Sequence, residues 1–204
     1  MSESYIDLTL PIWTGMPYNP VHFQPEISSY PGDGWVASRL VISSHLGTHI
    51  DAPKHFITGG AGVDEIDLDS IVGMYQVVQL HSHGLGSRIN AEDLPLETSA
   101  RVMLATGWSE THLDAPEYFK APPVLDLSAA VRLLDSGARV VGIDSPTVDL
   151  DGDVHRALLG AGCLIIENLT NLTQLGTAAD AVVLPLPVRG GDGSPVRAIA
   201  RRAQ

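Results

Sequence analysis

Apolar residues along this chain fall into short runs rich in Val, Ile and Leu, separated by Gly, Pro and charged positions. The pattern predicts strands at Val36–Ser43, Met74–Leu80, Arg101–Thr106, Arg139–Ile143, Leu164–Glu167, Ala181–Leu184 and Val196–Arg201. Several of these runs are almost continuously apolar, as expected for strands buried on both faces. One stretch has helical spacing instead. Ser128 is placed to cap it, AAVRLLDS follows, and Gly137 ends it. A shorter helix is expected over Val154–Leu159, stopped by Gly160 and Gly162. Helix and strand alternate mainly in the second half, which predicts an α/β domain of mixed sheets with few helices.

Composition narrows the class without changing that picture. The chain has 204 residues, a length for which one domain, here 1–204, is the default. Its 44% hydrophobic and 18% charged content suits a soluble globular protein. No apolar run is long enough to span a bilayer, and the N-terminus lacks a basic stretch followed by an apolar core, so the cytoplasm is the expected location. The formal net charge is −12, with no basic cluster beyond Arg201 and Arg202, which argues against nucleic acid and anionic membranes as partners. Cys163 is the lone cysteine, so neither an internal disulfide nor a cysteine-based zinc site can form. It precedes an apolar run and is expected to be a small buried residue.

The chemistry concentrates in HLGTHIDAPKHF, where His45, His49, Asp51 and His55 fall within eleven residues. A straight strand would set all four on one face but spread them over roughly 33 Å at about 3.3 Å per residue. A single metal needs its ligand atoms about 2.0–2.2 Å away, so a straight strand cannot close such a site. A continuous helix also fails, because Asp51 would point away from His45 and His49 and Pro53 disfavours helix at Ala52. The segment must bend, and Gly47 and Pro53 are suited to bending it. The expected form is a strand running into a folded-back loop. Taken singly, each residue has a plain structural explanation: an end-of-strand polar group, a turn cap, a surface histidine. Four together make a metal site the better reading.

A second segment, DGDVHRALLGAGCLIIENL, adds His155 just after a turn and Glu167 at the end of an apolar run. A buried carboxylate there needs a charge partner or a metal. Joined to the first cluster, these residues would supply four imidazoles and two carboxylates, enough for two adjacent ions with one bridging carboxylate. The all-N/O donor set suits zinc, manganese or iron. Other motifs fail. Asp149, Asp151 and Asp153 alternate like a calcium loop, but Gly152 stands fourth rather than sixth and Gly160 twelfth in place of Glu. His81 and His83 lack an adjacent carboxylate, and His22 and His112 are expected at the surface or a pocket rim. Trp13 and Tyr18 lie in a Pro-rich early loop suited to a lid, and are the expected substrate contacts.

These residues carry a resemblance. HLGTHIDAPKHF matches the HxGTHxDxPxH signature of the cyclase family, which includes bacterial kynurenine formamidases and isatin hydrolases. VGMYQVV, LATGW, VGIDSPTVD, HRALLGAGCLIIENLTNL and GSPVRAIA extend the likeness over nearly the whole chain. It implies a swivelling β/β/α fold, a homo-oligomer (dimer or tetramer), and metal-dependent hydrolysis of a small amide or lactone. By the same resemblance His45, His49 and Asp51 hold a first ion, and Asp51 bridges to a second held by His55, His155 and Glu167. Zinc is the expected ion and manganese the alternative, with one or two per subunit. In single-ion members the histidine matching His55 is free to act as acid or base, so His55 and Glu167 are the candidate catalytic groups. Two departures concern the substrate: YNPVHF follows Gly15–Pro17 where formamidases carry Trp-Pro-Gly-Asp, and Thr147 replaces a usual Ser. The readings to be separated are an arylformamidase-like hydrolase, a cyclic amidase or lactonase, and a metal-binding protein without turnover.

Overall fold

The computed structural model describes residues 4–203. Its strands are β1 (Ile6–Asp7), β2 (Glu26–Pro31), β3 (Val36–Val41), β4 (His49–Asp51), β5 (Val72–Gln79), β6 (Arg88–Ile89), β7 (Arg101–Ala105), β8 (Val124–Leu125), β9 (Val140–Ile143), β10 (Leu164–Glu167), β11 (Ala178–Pro185) and β12 (Gly193–Arg202). The α-helices are α1 (Leu68–Ile71), α2 (Trp108–His112), α3 (Leu127–Asp135) and α4 (Asp153–Gly160). The main sheet runs β1-β12-β11-β5-β7-β9-β10-β4, and β4 also pairs with β12. That last pairing closes seven strands into a barrel-like ring, with β1 alongside β12. Within it β5, β7, β9 and β10 are mutually parallel, whereas β4, β11 and β12 pair antiparallel to their neighbours. The fold is mixed α/β with few helices, as the pattern of the sequence predicts.

Strand alternation divides the apolar residues between two cores. Tyr75, Val77, Met103, Val140, Ile166, Val183 and Ala198 fill one together with Ile50. Val102, Leu104, Val141, Ile143 and Ile165 face the other, where Ala129, Ala130 and Leu133 of α3 and Leu158 and Leu159 of α4 cover them. Cys163 belongs to this second core and is fully buried. No described helix is long and apolar enough to cross a membrane.

Two expectations need correction. Helix α3 begins a residue before Ser128, because Asp126 is the better cap: its carboxylate accepts from the Ala129 N–H at 3.1 Å, and Ser128 Oγ donates to that same oxygen. The strand expected at Val36–Ser43 ends at Val41 and is no core strand. Among the described residues it pairs only with β2, in a separate ribbon whose residues are mostly exposed, including Tyr30, Val36 and Leu40. Trp35 at the turn of this ribbon is 59% exposed, whereas Trp108 is buried. The short β4, which carries the chemistry, is hidden in the sequence because its polar residues break the apolar pattern.

Candidate metal centre

Strand β4 is the seam of the ring. His49 lies opposite Glu167 of β10 and Pro195 of β12, and Asp51 opposite Ile165 and Gly193. Ile50 and Ile166 turn into the first core, so His49, Asp51 and Glu167 must project from the other face, toward α4. Gly47, at φ +60°, folds the preceding loop so that His45 returns over the strand. Pro53 opens a single 3₁₀ turn, Pro53–His55, which brings His55 back beside His45 with ring centroids 3.9 Å apart. Helix α4 delivers His155 in its first turn. The bends expected at Gly47 and Pro53 are present on either side of the short β4, and all six candidate ligands converge.

The atoms divide around two shared carboxylates. Asp51 Oδ1 lies 2.8 Å from His45 Nδ1 and 3.4 Å from His49 Nε2, and Glu167 Oε2 is 3.3 Å from His49 Nε2. On the other side His155 Nε2 stands 3.2 Å from Glu167 Oε1 and 3.6 Å from Asp51 Oδ2. Tetrahedral ligands at ~2.1 Å from an ion are ~3.4 Å apart, and four of these separations, 3.2–3.6 Å, cluster at that value, whereas the 2.8 Å between His45 and Asp51 is a hydrogen-bond distance. Asp51 Oδ2 is buried and makes no hydrogen bond, a costly state unless a cation completes it. His45, Asp51 and His55 form one triplet of ligand size and His49, Asp51 and Glu167 another. The donor set therefore fits a divalent cation. Glu167 reaches both halves, as does Asp51, the bridge that the resemblance implied.

Electrostatics reflect the crowding. Burial alone would lower the His49 pKa, but hydrogen bonds and the charges of Asp51 and Glu167 outweigh it and raise it to about 10. His155 is raised to about 10 against the same desolvation, by Asp149 and Glu167. Burial pushes the Asp51 and Glu167 carboxyls upward, yet the neighbouring imidazoles hold both below their ordinary values. His55 goes the other way: burial lowers its pKa and the nearby His45 and His155 add to that.

Each of three imidazoles is held from behind. His49 Nδ1 is 2.8 Å from the Gly47 carbonyl, His155 Nδ1 2.6 Å from Asp149 Oδ1, and His45 Nε2 2.9 Å from Asp192 Oδ2. Neither Asp149 nor Asp192 was recognised from sequence. Asp149 falls in a failed calcium loop and at the end of VGIDSPTVD without a role of its own, although an Asp shortly before a helix start is a capping signal, and its Oδ2 does accept from the Val154 N–H. Asp192, far along the chain in GGDG, gives no local signal.

The centre opens onto a cleft of about 490 Å3. His55, Phe56, Phe119, Leu150 and Asn168 contribute to its walls, and the early loop adds Asn19, Val21 and His22. Trp13 and Tyr18 are half-buried and are not among the lining residues. His22, expected at a pocket rim, stacks at 5.6 Å on His45, whereas His112 packs on Trp108. His83 finds Asp93 at 3.3 Å, and His81 is exposed.

Fold and site together define an α/β protein with a cluster of potential metal ligands at a barrel seam. The chain belongs to the cyclase family, whose model matches residues 6–150. A kynurenine formamidase of Bacillus mycoides is 30% identical over 210 residues, 98% of each chain. The Salinibacter ruber kynurenine formamidase is 32% identical over 200 residues, 88% of this chain and 93% of the relative. A solved structure described as a potential metal-dependent hydrolase with cyclase activity superimposes with a TM-score of 0.86, at 28% identity, over the whole of both chains. Isatin hydrolase A of Ralstonia solanacearum shares the fold, with a TM-score of 0.86 at 24% identity over 98% of this chain and 92% of its own.

Proposed function

We propose that this chain is a metal-dependent hydrolase of small amides, of the arylformamidase kind, releasing formate and kynurenine from N-formylkynurenine. The observation that carries this reading is the unpartnered, buried Asp51 Oδ2 among imidazole nitrogens at ligand spacing, beside an open cleft. A divalent cation held there would supply hydroxide near neutral pH and a Lewis acid for the substrate carbonyl. Zinc suits the nitrogen and oxygen donors best, with manganese the alternative. Two ions per chain agree with carboxylates that each turn one oxygen to either half. His45, His49, Asp51 and Glu167 would hold one, and His155 with the second oxygens of Asp51 and Glu167 the other, leaving His55 free of the ions.

Proton handling falls to His55. Its side chain is 25% exposed on the cleft wall and can pass a proton from the attacking water to the leaving nitrogen. Both Glu167 oxygens are engaged, one also accepting from the Val148 N–H at 2.7 Å, so Glu167 serves as ligand rather than base. A closed structural site is disfavoured by the cleft, since catalytic sites keep a position for water. A cyclic amide such as isatin is the second reading, favoured by the loop that replaces Trp-Pro-Gly-Asp and lines the cleft with Val21 and His22.

His49→Ala should lose both metal and turnover; full metal occupancy in that variant would sink the assignment. Initial rates on N-formylkynurenine and isatin, with one metal-loaded preparation, separate the two substrates. The same reading includes assembly with further copies, as a dimer or tetramer. It is supported by the exposed β2–β3 ribbon, which bears Tyr30, Trp35, Val36 and Leu40 and would be marginal alone. Leu40→Glu should then lower the mass measured by light scattering. A cytoplasmic setting agrees with the lone, buried Cys163.

A further inference from the structure

Two carboxylates outside the ligand set stand behind two different imidazoles, from segments far apart in the chain. Asp149 precedes α4 and is almost fully buried; its Oδ1 lies 2.6 Å from His155 Nδ1 while its Oδ2 accepts from the Val154 N–H at 2.6 Å. Asp192 precedes β12; its Oδ2 lies 2.9 Å from His45 Nε2 and 3.5 Å from His55 Nδ1, and its Oδ1 accepts from Ser44 Oγ at 3.0 Å. The backbone of Asp192 is pinned as well, its carbonyl accepting from the Ala52 N–H at 3.0 Å. Gly193 lets this segment approach: a Cβ there would sit 2.7 Å from the Ile50 carbonyl oxygen and 2.8 Å from His45 Cε1.

A neutral imidazole donates from one nitrogen and accepts at the other, so the partner of one nitrogen decides which lone pair is free. A carboxylate can only accept. Behind His155 it fixes the proton on Nδ1 and leaves the Nε2 lone pair toward Asp51 and Glu167. Behind His45 it fixes the proton on Nε2 and leaves Nδ1 toward Asp51. The two cases use opposite ring nitrogens to the same end, which packing alone gives no reason to produce.

We propose that Asp149 and Asp192 are positioning residues that set the tautomers of His155 and His45, each turning one lone pair toward the ion. The inference rests on the metal-centre reading above. It explains why Asp149 binds with both oxygens: the cap holds the carboxylate while the other oxygen holds the ring. It also gives the GGDG segment a task beyond forming a turn.

Asparagine is the discriminating substitution. In Asp149→Asn the amide oxygen can still cap Val154 while the NH2 group faces His155 Nδ1, forcing the proton onto Nε2 and covering the lone pair the ion needs. Asp192→Asn does the same to His45, its oxygen remaining with Ser44. The test is zinc affinity by competition with a chromophoric chelator, with thermal unfolding of each metal-free protein alongside. The expected result is wild-type binding and about 10–100-fold weaker zinc in either variant, with the metal-free unfolding temperature unchanged. Wild-type affinity in the asparagine variants overturns the proposal, and so does a loss of affinity matched by a loss of metal-free stability. Absence of zinc binding by the wild type would instead overturn the metal-centre reading. Should Asp149→Asn fail to fold, Asp192→Asn at its half-exposed position decides the matter by the same measurement.

Discussion

Loading the protein with zinc at pH 7 should expel protons, in a number the site geometry sets. In the metal-free chain His49 and His155 have pKa values raised to about 10, each held protonated by the carboxylates it faces. At pH 7 a group titrating near 10 is charged in all but ~0.1% of molecules. An imidazolium cannot be a ligand, so each ring must release its proton as the ion enters. His45, which faces Asp51 and Asp192, has its pKa raised as well. Filling both halves should therefore release at least the two protons of His49 and His155, and the combined affinity for the pair of ions should rise at least ~100-fold per pH unit near neutrality, ~tenfold for each proton. Calorimetric titration in buffers of different protonation enthalpy counts the protons directly. A heat of binding independent of the buffer, or an affinity flat between pH 6 and pH 8, would refute the reasoning. The same shifts fix the behaviour of the metal-free protein. Stability contributed by His49 and His155 is fully present below the unfolded value of about 6.5 and is lost as pH rises through about 10. The lowered Asp51 and Glu167 act at the other end: their contribution is present above the unfolded carboxyl values of about 4 and is lost as pH falls through the folded ones.

Other outcomes follow from particular contacts. Gly193→Ala drives a Cβ against the Ile50 carbonyl and His45, so it should destabilise the seam by about 1–3 kcal/mol and weaken zinc binding; a chelator titration and a thermal melt check both. Asp126→Ala removes the α3 cap and should cost about 1 kcal/mol, a fall in Tm of about 2–4 °C, with zinc affinity intact. Cys163 is fully buried with its thiol pushed up to about 12, so a thiol reagent should modify it only after unfolding.

What the sequence made legible was whatever rests on local spacing. The runs Arg139–Ile143 and Leu164–Glu167 read as strands because no polar residue interrupts them between their ends, and they form buried strands at Val140–Ile143 and Leu164–Glu167. The bend at Gly47 and Pro53 could be inferred because neither a strand nor a helix could gather the ligands. Competition between neighbours was harder to see. Ser128 and Asp126 are both cap residues by type, and only geometry decides that Asp126 takes the Ala129 N–H while Ser128 donates to it. Long-range contacts were not legible at all. Asp192 meets His45 across 147 residues of chain, and only the pairing of β12 with β4 joins them. The early loop shows both outcomes, for it does reach the cleft, but through Asn19, Val21 and His22 rather than Trp13 and Tyr18.

The central claim is that a divalent ion at the β4 seam enables hydrolysis of a small amide, and metal add-back tests it most directly. Protein stripped by a chelator and dialysed is given zinc in steps, and formate release from N-formylkynurenine and opening of isatin are followed beside bound metal. The account predicts that stripped protein is silent on both and that hydrolysis of one of them returns in proportion to bound ion. Undiminished hydrolysis by the stripped protein, or full metal loading with neither amide cleaved, would contradict it.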